Sequence, residues 1–287
     1  MASLKAIRKR IASVRSTQQI TKAMKMVSAA KLRRAQEAAV SARPYAEKLE
    51  ALLRSVAARV GADSHPLFHV PADEHRVHLL IVTADRGLCG GYNSNLIRTA
   101  DAFLNERGRD NVQLILVGRR GFDYFKKRPV TIADKHINLF RGPSRELADA
   151  LGRELARLVG SGETDGVYVL FSRFRSALSQ VPTLARLLPI EPTGESDQTG
   201  VLEYLYEPAA AIVLARLVKQ YVTVLIHRAF LESVASEHAA RMTAMDSATS
   251  NAADMIDRLT LQMNRARQAA ITKELMEIVS GAEALKG

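Results

Sequence analysis

Three groups of residues in this chain carry types that could do chemistry. The run Asp85-Arg-Gly-Leu-Cys-Gly-Gly-Tyr-Asn93 follows a β-branched stretch and precedes a helical pattern, the place where α/β proteins cradle phosphate groups. Its glycines, Gly87, Gly90 and Gly91, are spaced G-x-x-G-G, which is neither a dinucleotide fingerprint nor a P-loop. Cys89 stands where the second fingerprint glycine should be, and its side chain would hold a pyrophosphate off the backbone. The run reads as a structural turn, and no cofactor is expected. His65, His69, His75 and His78 lie close together and could ligate a metal, but their spacing is irregular and no cysteine joins them. They read as loop residues without a metal. Ser, His and Asp occur along the chain, but nothing sets a nucleophile beside a base, so no catalytic group is expected.

The third group is a field of charge. Residues 1–60 hold 14 Lys and Arg against 3 acids, an excess equal to the net +11 of the whole chain. The first 36 residues contain ten basic side chains, among them Arg8, Lys9, Arg10, Lys22 and Lys25, and no acid. Such a segment suits nucleic acid, an anionic membrane surface or acidic protein loops, beside the plain reading of a solvated face. The single cysteine excludes an intramolecular disulfide and any multi-cysteine zinc site. No apolar run reaches the ~18–20 residues that span a bilayer. Residues 1–16 are basic and amphipathic in the manner of a transit peptide, yet the helical pattern continues through them unbroken, so no targeting segment is expected.

The elements that must carry these groups are marked out by glycine and proline, which punctuate local structure. Of the 16 glycines and 9 prolines, 22 fall between Gly61 and Pro208. Ala209 to Ser280 contains neither type, and the first sixty residues contain only Pro44, which could kink or divide a helix. At ~1.5 Å per residue the C-terminal stretch reaches roughly 108 Å, against a diameter of about 50 Å for a compact chain of this length. Such a helix must project from its own domain. Leu4, Ile7, Ile11, Val14, Ile20, Met24 and Val27 form an apolar stripe on the first helix, with Ser3 as its N-cap. Met242, Met245, Thr249, Ala252, Ile256, Leu259, Met263, Ala266 and Ala270 keep a strict alternation of three and four on the last.

Between them, the apolar runs 77–83, 112–117, 130–132 and 167–171 alternate with helical patterns at 96–107, 119–128 and 144–159, which argues for parallel βαβ units. A polar loop is expected at 193–200. The fold class is therefore α/β: a long antiparallel two-helix coiled coil from both termini with an inserted Rossmann-like open α/β domain. Its divisions are 1–60, 61–208 and 209–287. At the free end of the last helix, Arg267, Gln268, Thr272, Lys273, Glu274 and Glu277 stand beside Ile271, Leu275, Met276, Ile278 and Val279. Apolar residues there occupy more than one face, so a partner should sheathe them.

Ile271-Thr-Lys-Glu-Leu-Met-Glu-Ile-Val-Ser-Gly-Ala-Glu-Ala284 resembles the C-terminal signature of the gamma subunit of F-type ATP synthases. Ile20-Thr-Lys-Ala-Met-Lys-Met-Val-Ser-Ala-Ala-Lys-Leu-Arg-Arg-Ala-Gln36 resembles that family's N-terminal block, and residues 85–93, 204–208 and 236–242 resemble internal ones. The resemblance implies a non-catalytic central rotor shaft inside a hexamer of alpha and beta subunits, standing on a ring of membrane c subunits. It implies that Arg267, Gln268, Thr272 and Glu274 meet the catch loops of the hexamer, and that Leu275, Met276, Ile278 and Val279 lie in its apolar bearing. Arg8, Lys9, Arg10 and Lys22 would face acidic lever loops of beta, with Met24, Lys25 and Arg241 tied to coupling. Tyr204, Tyr206 and Glu207 would sit near the c ring, with the epsilon subunit alongside. The redox dithiol of chloroplast-type relatives is excluded by the lone Cys89. The implied place is the cytoplasmic face of a bacterial membrane, reached through the c ring and not by insertion.

Two other classes fit parts of the chain. A basic coiled-coil nucleic-acid-binding protein would explain the first helix, and its binding would steepen at low salt. A Rossmann-like enzyme with helical arms would explain the middle, but lacks a nucleotide fingerprint.

Overall fold

The computed structural model describes residues 4–60, 66–139, 142, 144–190, 207 and 209–284. Five helices and five strands follow in the order α1 (Leu4–Val60), β1 (Val77–Val82), α2 (Tyr92–Arg107), β2 (Val112–Val117), α3 (Arg119–Phe125), β3 (Thr131–His136), α4 (Arg145–Gly160), β4 (Gly166–Phe174), β5 (Gln180–Leu188) and α5 (Ala210–Ala284). The chain packs as two compact units, Met1–Val27 with Met242–Gly287, and Ser28–Arg241. Pro44 lies inside α1 without ending it.

The larger unit is built on one mixed sheet in the order β3-β2-β1-β4-β5, parallel except for the β4–β5 hairpin. Both faces of the sheet are covered, which is why β1 is buried along its whole length and reads as an apolar run interrupted only by His78. Side chains alternate across a strand, so β1 divides its own residues between two cores. Leu80 and Val82 join Ile115, Val117, Val167 and Val169 against Leu151 and Leu155 of α4, Leu53 and Val56 of α1, and Val218, Val222 and Ile226 of α5. Val77, Leu79 and Ile81 join Leu114, Leu116 and Leu170 against Leu96, Ala100 and Leu104 of α2 and Phe125 of α3. Each such buried aliphatic side chain contributes about 1.5–3 kcal/mol.

Strand β5 was not expected from the sequence. It contains Pro182, which cannot donate to a ladder, and it occupies the sheet edge where proline is tolerated. Strand β3 starts within the expected run but continues to His136, through exposed residues that carry no apolar signal.

The exit of β2 depends on Gly118. Its φ is +95°, and a Cβ there would lie 2.1 Å from the carbonyl oxygen of Thr83. Thr83 in turn donates its hydroxyl to Val117 O at 3.0 Å and accepts from Gly121 N at 3.0 Å. The turn into α3 is thereby tied to the end of β1.

In the smaller unit, α1 and α5 run side by side. Ile7, Ile11 and Val14 pack with Ile256, Leu259, Met263 and Ala266. Further along, Thr249 donates to Thr21 at 2.8 Å and Lys25 meets Asp246 at 2.5 Å. Numbers rise on one helix as they fall on the other, so the two directions are opposed. All nine seam positions named on α5 are buried or half-buried. The α1 stripe needs correction. Ile20 and Val27 are exposed, and the buried positions are Thr21 and Ser28. Spacing of three and four counted from Val14 arrives at Thr21, Lys25 and Ser28. The aliphatic Ile20 and Val27 each sit one position before that period and so face out.

Candidate interaction surfaces

The exposed end of α5 is a surface made by helical spacing. Ala266 is the last α5 residue packed against the Ile7–Leu259 cluster, and every described side chain from 271 to 281 is exposed. Ile271, Leu275 and Ile278 recur at four and three and share one side, which Met276 and Val279 broaden. Lys273 and Glu277 lie one turn apart on the other side, 3.6 Å from each other. Thr272 donates its hydroxyl to Gln268 O at 3.0 Å, within the helix, and its side chain remains exposed. Arg267, Gln268 and Glu274 are exposed as well.

On α1, Arg8, Lys9, Arg10 and Lys22 are exposed, while Met24 and Lys25 are half-buried. Lys25 is committed to Asp246 rather than free. Glu207 is exposed; Tyr204 and Tyr206 lie outside the described residues.

Arg241 lies in the larger unit, nine-tenths buried. Its guanidinium donates to Gly87 O at 3.3 Å, lies 3.4 Å from His238 Nδ1, and pairs with Glu237 at 2.8 Å. The Asp85–Asn93 run is held from several sides. Asp85 accepts from the backbone N–H groups of Arg119 and Asn138, each at 2.9 Å. Asn93 accepts from Ala84 N at 3.0 Å and donates to Cys89 Sγ at 3.2 Å. Tyr92 donates to Ser233 O at 3.3 Å, and Ser236 of α5 donates to Ser172 O at 2.9 Å. Burial pushes the Cys89 thiol up, against the pull of Arg241, so it stays a protonated thiol. Burial also raises the Tyr92 phenol.

These α5 contacts occupy a particular place. The strand order turns back between β1 and β4, and open α/β sheets bind ligands outside the carboxyl ends of strands at that point. Here Ser233, Ser236 and Arg241 of α5 fill it. No single-sequence signal could have shown this, because it depends on where a distant helix crosses the sheet.

The histidines are dispersed in role. His78 is buried with Nδ1 3.0 Å from the Thr164 hydroxyl, His69 and His75 are exposed, and His65 lies outside the described residues. Among the described residues no three His, Cys, Asp or Glu side chains form a metal-sized group. Also among them, no helix is long and apolar enough to cross a membrane.

What these surfaces present is apolar contact, positive charge and hydrogen-bond donors distributed along two helices. The family model described as ATP synthase matches residues 3–285. A relative from Pelotomaculum thermopropionicum, an ATP synthase gamma chain, is 50% identical over 290 residues and covers 100% of both chains. The chain belongs to the ATP synthase gamma chain family. Another member, from Moorella thermoacetica, is 48% identical over 286 residues, again covering 100% of both chains. Solved structures share the family's fold. A chain from the Euglena gracilis mitochondrial ATP synthase OSCP/F1/c-ring structure has a TM-score of 0.69 at 20% identity, over 98% of this chain and 94% of that one. One from the Tetrahymena thermophila central stalk and c ring has a TM-score of 0.63 at 24% identity, over 80% of this chain and 99% of that one.

Proposed function

We infer that the chain is the central-stalk subunit of a bacterial F-type ATP synthase, coupling rotation of a membrane c ring to ATP synthesis and hydrolysis on a hexamer of alpha and beta subunits. The observation that carries this reading is the apolar arc of Ile271, Leu275, Met276, Ile278 and Val279, each at least half exposed on a helix end with no covering residue among those described. Covering side chains of this size is worth about 1.5–3 kcal/mol each, so a fitted sleeve would hold the tip without any fixed polar bond. Leu275, Met276, Ile278 and Val279 form the bearing surface, and Arg267, Gln268, Thr272 and Glu274 meet the hexamer's catch loops.

The opposed helices act as an antiparallel coiled coil, and residues 61–208 form a Rossmann-like domain inserted between its arms. Arg8, Lys9, Arg10 and Lys22 face acidic loops of beta. Tyr204, Tyr206 and Glu207 stand near the c ring beside epsilon. The subunit is not itself catalytic: it transmits torque while the hexamer does the chemistry. It works on the cytoplasmic face of the membrane, held there through the c ring.

A tagged copy of the chain, purified from detergent-solubilised membranes, tests the reading. Co-purification of ATPase activity with alpha, beta, epsilon and c subunits is expected. A tagged chain recovered without ATPase activity or a c ring would overturn it.

A further inference from the structure

Three helices of the larger unit, α1, α4 and α5, line a cavity of about 210 Å³. From α1 come Ala39, Ala42 and Ala46, spaced three and four along one face, and their short side chains leave room between the helices. From α5 come Val224, His227 and Leu231 at the same spacing, with Glu232 beside them. Arg145, the first residue of α4, completes the lining, and the Tyr45 ring borders it half-exposed.

Two polar side chains of this lining lack the partners that burial demands. Glu232 is only 8% exposed; Arg228 Nε donates to its Oε1 at 3.4 Å, while Oε2 is buried with no hydrogen-bond partner among the described residues. His227 Nδ1 is buried in the same condition. A buried acceptor left unpaired is costly, so a donor entering the cavity gains what the fold leaves unmade. The last torsion of a glutamate is soft, and the Glu232 carboxyl can turn to meet such a donor at little cost. Arg145 poses the opposite demand: it is exposed and forms no ion pair among the described residues.

We propose that this cavity binds a small aromatic acid: one ring carrying a hydroxyl group opposite its carboxylate. The hydroxyl donates to Glu232 with His227 beside it, the ring lies against the alanines of α1 and Tyr45, and the carboxylate meets Arg145. Size selects a single ring, because a dry cavity of roughly 150 Å³ holds one benzene and this one takes a ring with a short arm. Charge selects the two ends. A second carboxylate would be repelled at Glu232, and an ammonium group would be repelled between Arg145 and Arg228. The site is independent of the rotor reading. A ligand held there bridges α1, α4 and α5 and stiffens the larger unit where its three helices meet.

The test titrates the purified full chain with three probes, 4-hydroxyphenylacetate, phenylacetate and 4-methylphenol, and follows ligand signals by saturation-transfer NMR. Expected is binding of 4-hydroxyphenylacetate with a dissociation constant of roughly 1 mM, ordinary for a molecule of about ten heavy atoms. Phenylacetate, which lacks the hydroxyl, and 4-methylphenol, which lacks the acid, should each bind severalfold more weakly. Ala42→Leu fills the cavity and should abolish binding of all three. Arg145→Gln alters an exposed side chain, so the fold is kept even if Ala42→Leu fails to fold. It should weaken 4-hydroxyphenylacetate severalfold and leave 4-methylphenol unchanged. No binding to the parent chain, equal binding of the three probes, binding retained by a folded Ala42→Leu, or indifference of the acid to Arg145→Gln would each overturn the site.

Discussion

Thr249 donates its hydroxyl to Thr21 across 2.8 Å, one helical turn from the contact of Lys25 with Asp246. The two bonds join α1 to α5 where an apolar seam would otherwise continue. They differ in burial, and burial decides their weight. Thr21 is buried, so Thr21→Ala should cost about 1–2 kcal/mol in the urea unfolding of the full chain. The Lys25 and Asp246 side chains are 42% and 60% exposed. A double-mutant cycle on that pair should return no more than about 1 kcal/mol, falling as salt is raised. A coupling well above that value, or one indifferent to salt, would mean the ion pair is far less hydrated than its exposure indicates.

Two glycines make opposite predictions. Gly118→Ala forces a side chain into left-handed backbone against the Thr83 carbonyl, so it should destabilise by several kcal/mol or prevent folding. Gly160→Ala meets nothing within 4 Å inside α4 and should stabilise by about 0.5–1 kcal/mol. Denaturant midpoints of both variants against the parent chain check this. A harmless Gly118→Ala would mean the turn into α3 is built differently.

Acid should weaken the larger unit through His238. Burial first, then Arg241 and Lys31, push its pKa down to about 4 from the ordinary 6.5. The neutral ring accepts at Nδ1 from Arg241 and cannot do so once protonated there. The unfolded chain takes up the proton near 6.5 while the folded chain refuses it. The stabilisation is therefore intact above about pH 6.5 and is lost progressively toward about pH 4, by at most ~1.4 kcal/mol per pH unit. His78 and His227, lowered chiefly by burial, act in the same sense. His238→Gln should flatten the fall in stability between about pH 7 and about pH 5. An unchanged slope would show that other groups carry the acid sensitivity.

On the proposed function, in which the subunit transmits torque and the hexamer does the chemistry, there is no catalytic side chain to lose. Arg267→Ala, Gln268→Ala and Thr272→Ala should each leave substantial ATPase activity in the assembled complex and lower proton pumping more than hydrolysis. Removing a true general base commonly costs orders of magnitude in rate. Hydrolysis, pumping and subunit content measured together in membrane vesicles decide the matter. Abolished hydrolysis in a fully assembled complex would assign chemistry to that residue.

Periodicity made some of this legible and composition concealed the rest. The α5 seam from Met242 to Ala270 could be read because its spacing never breaks and its polar member, Thr249, is flanked by apolar ones. The α1 seam could not, because Thr21 and Ser28 hold inward places while Ile20 and Val27, the more hydrophobic neighbours, face out. Strands β1, β2 and β4 announce themselves as β-branched runs buried on both sides. Strand β5 is an edge strand interrupted by Pro182 and gives no strand signal of its own. The exposed helix tip was legible from excess apolar residues alone, whereas the burial of Arg241 against Gly87 joins residues 154 apart and leaves no local trace.

That last contact has a mechanical consequence. Arg241 grips the Gly87 carbonyl, Ser236 grips β4 at Ser172, and Tyr92 reaches back to Ser233, so α5 is keyed to the sheet on several bearings within one compact unit. A twist applied to the sheet cannot be dissipated by slip of the helix over it, because slip would strip three buried donors of their acceptors at once. The crevice at the switch point of the sheet, where open α/β sheets admit a ligand, is instead a keyway that locks residues 233–241 of α5 to the sheet.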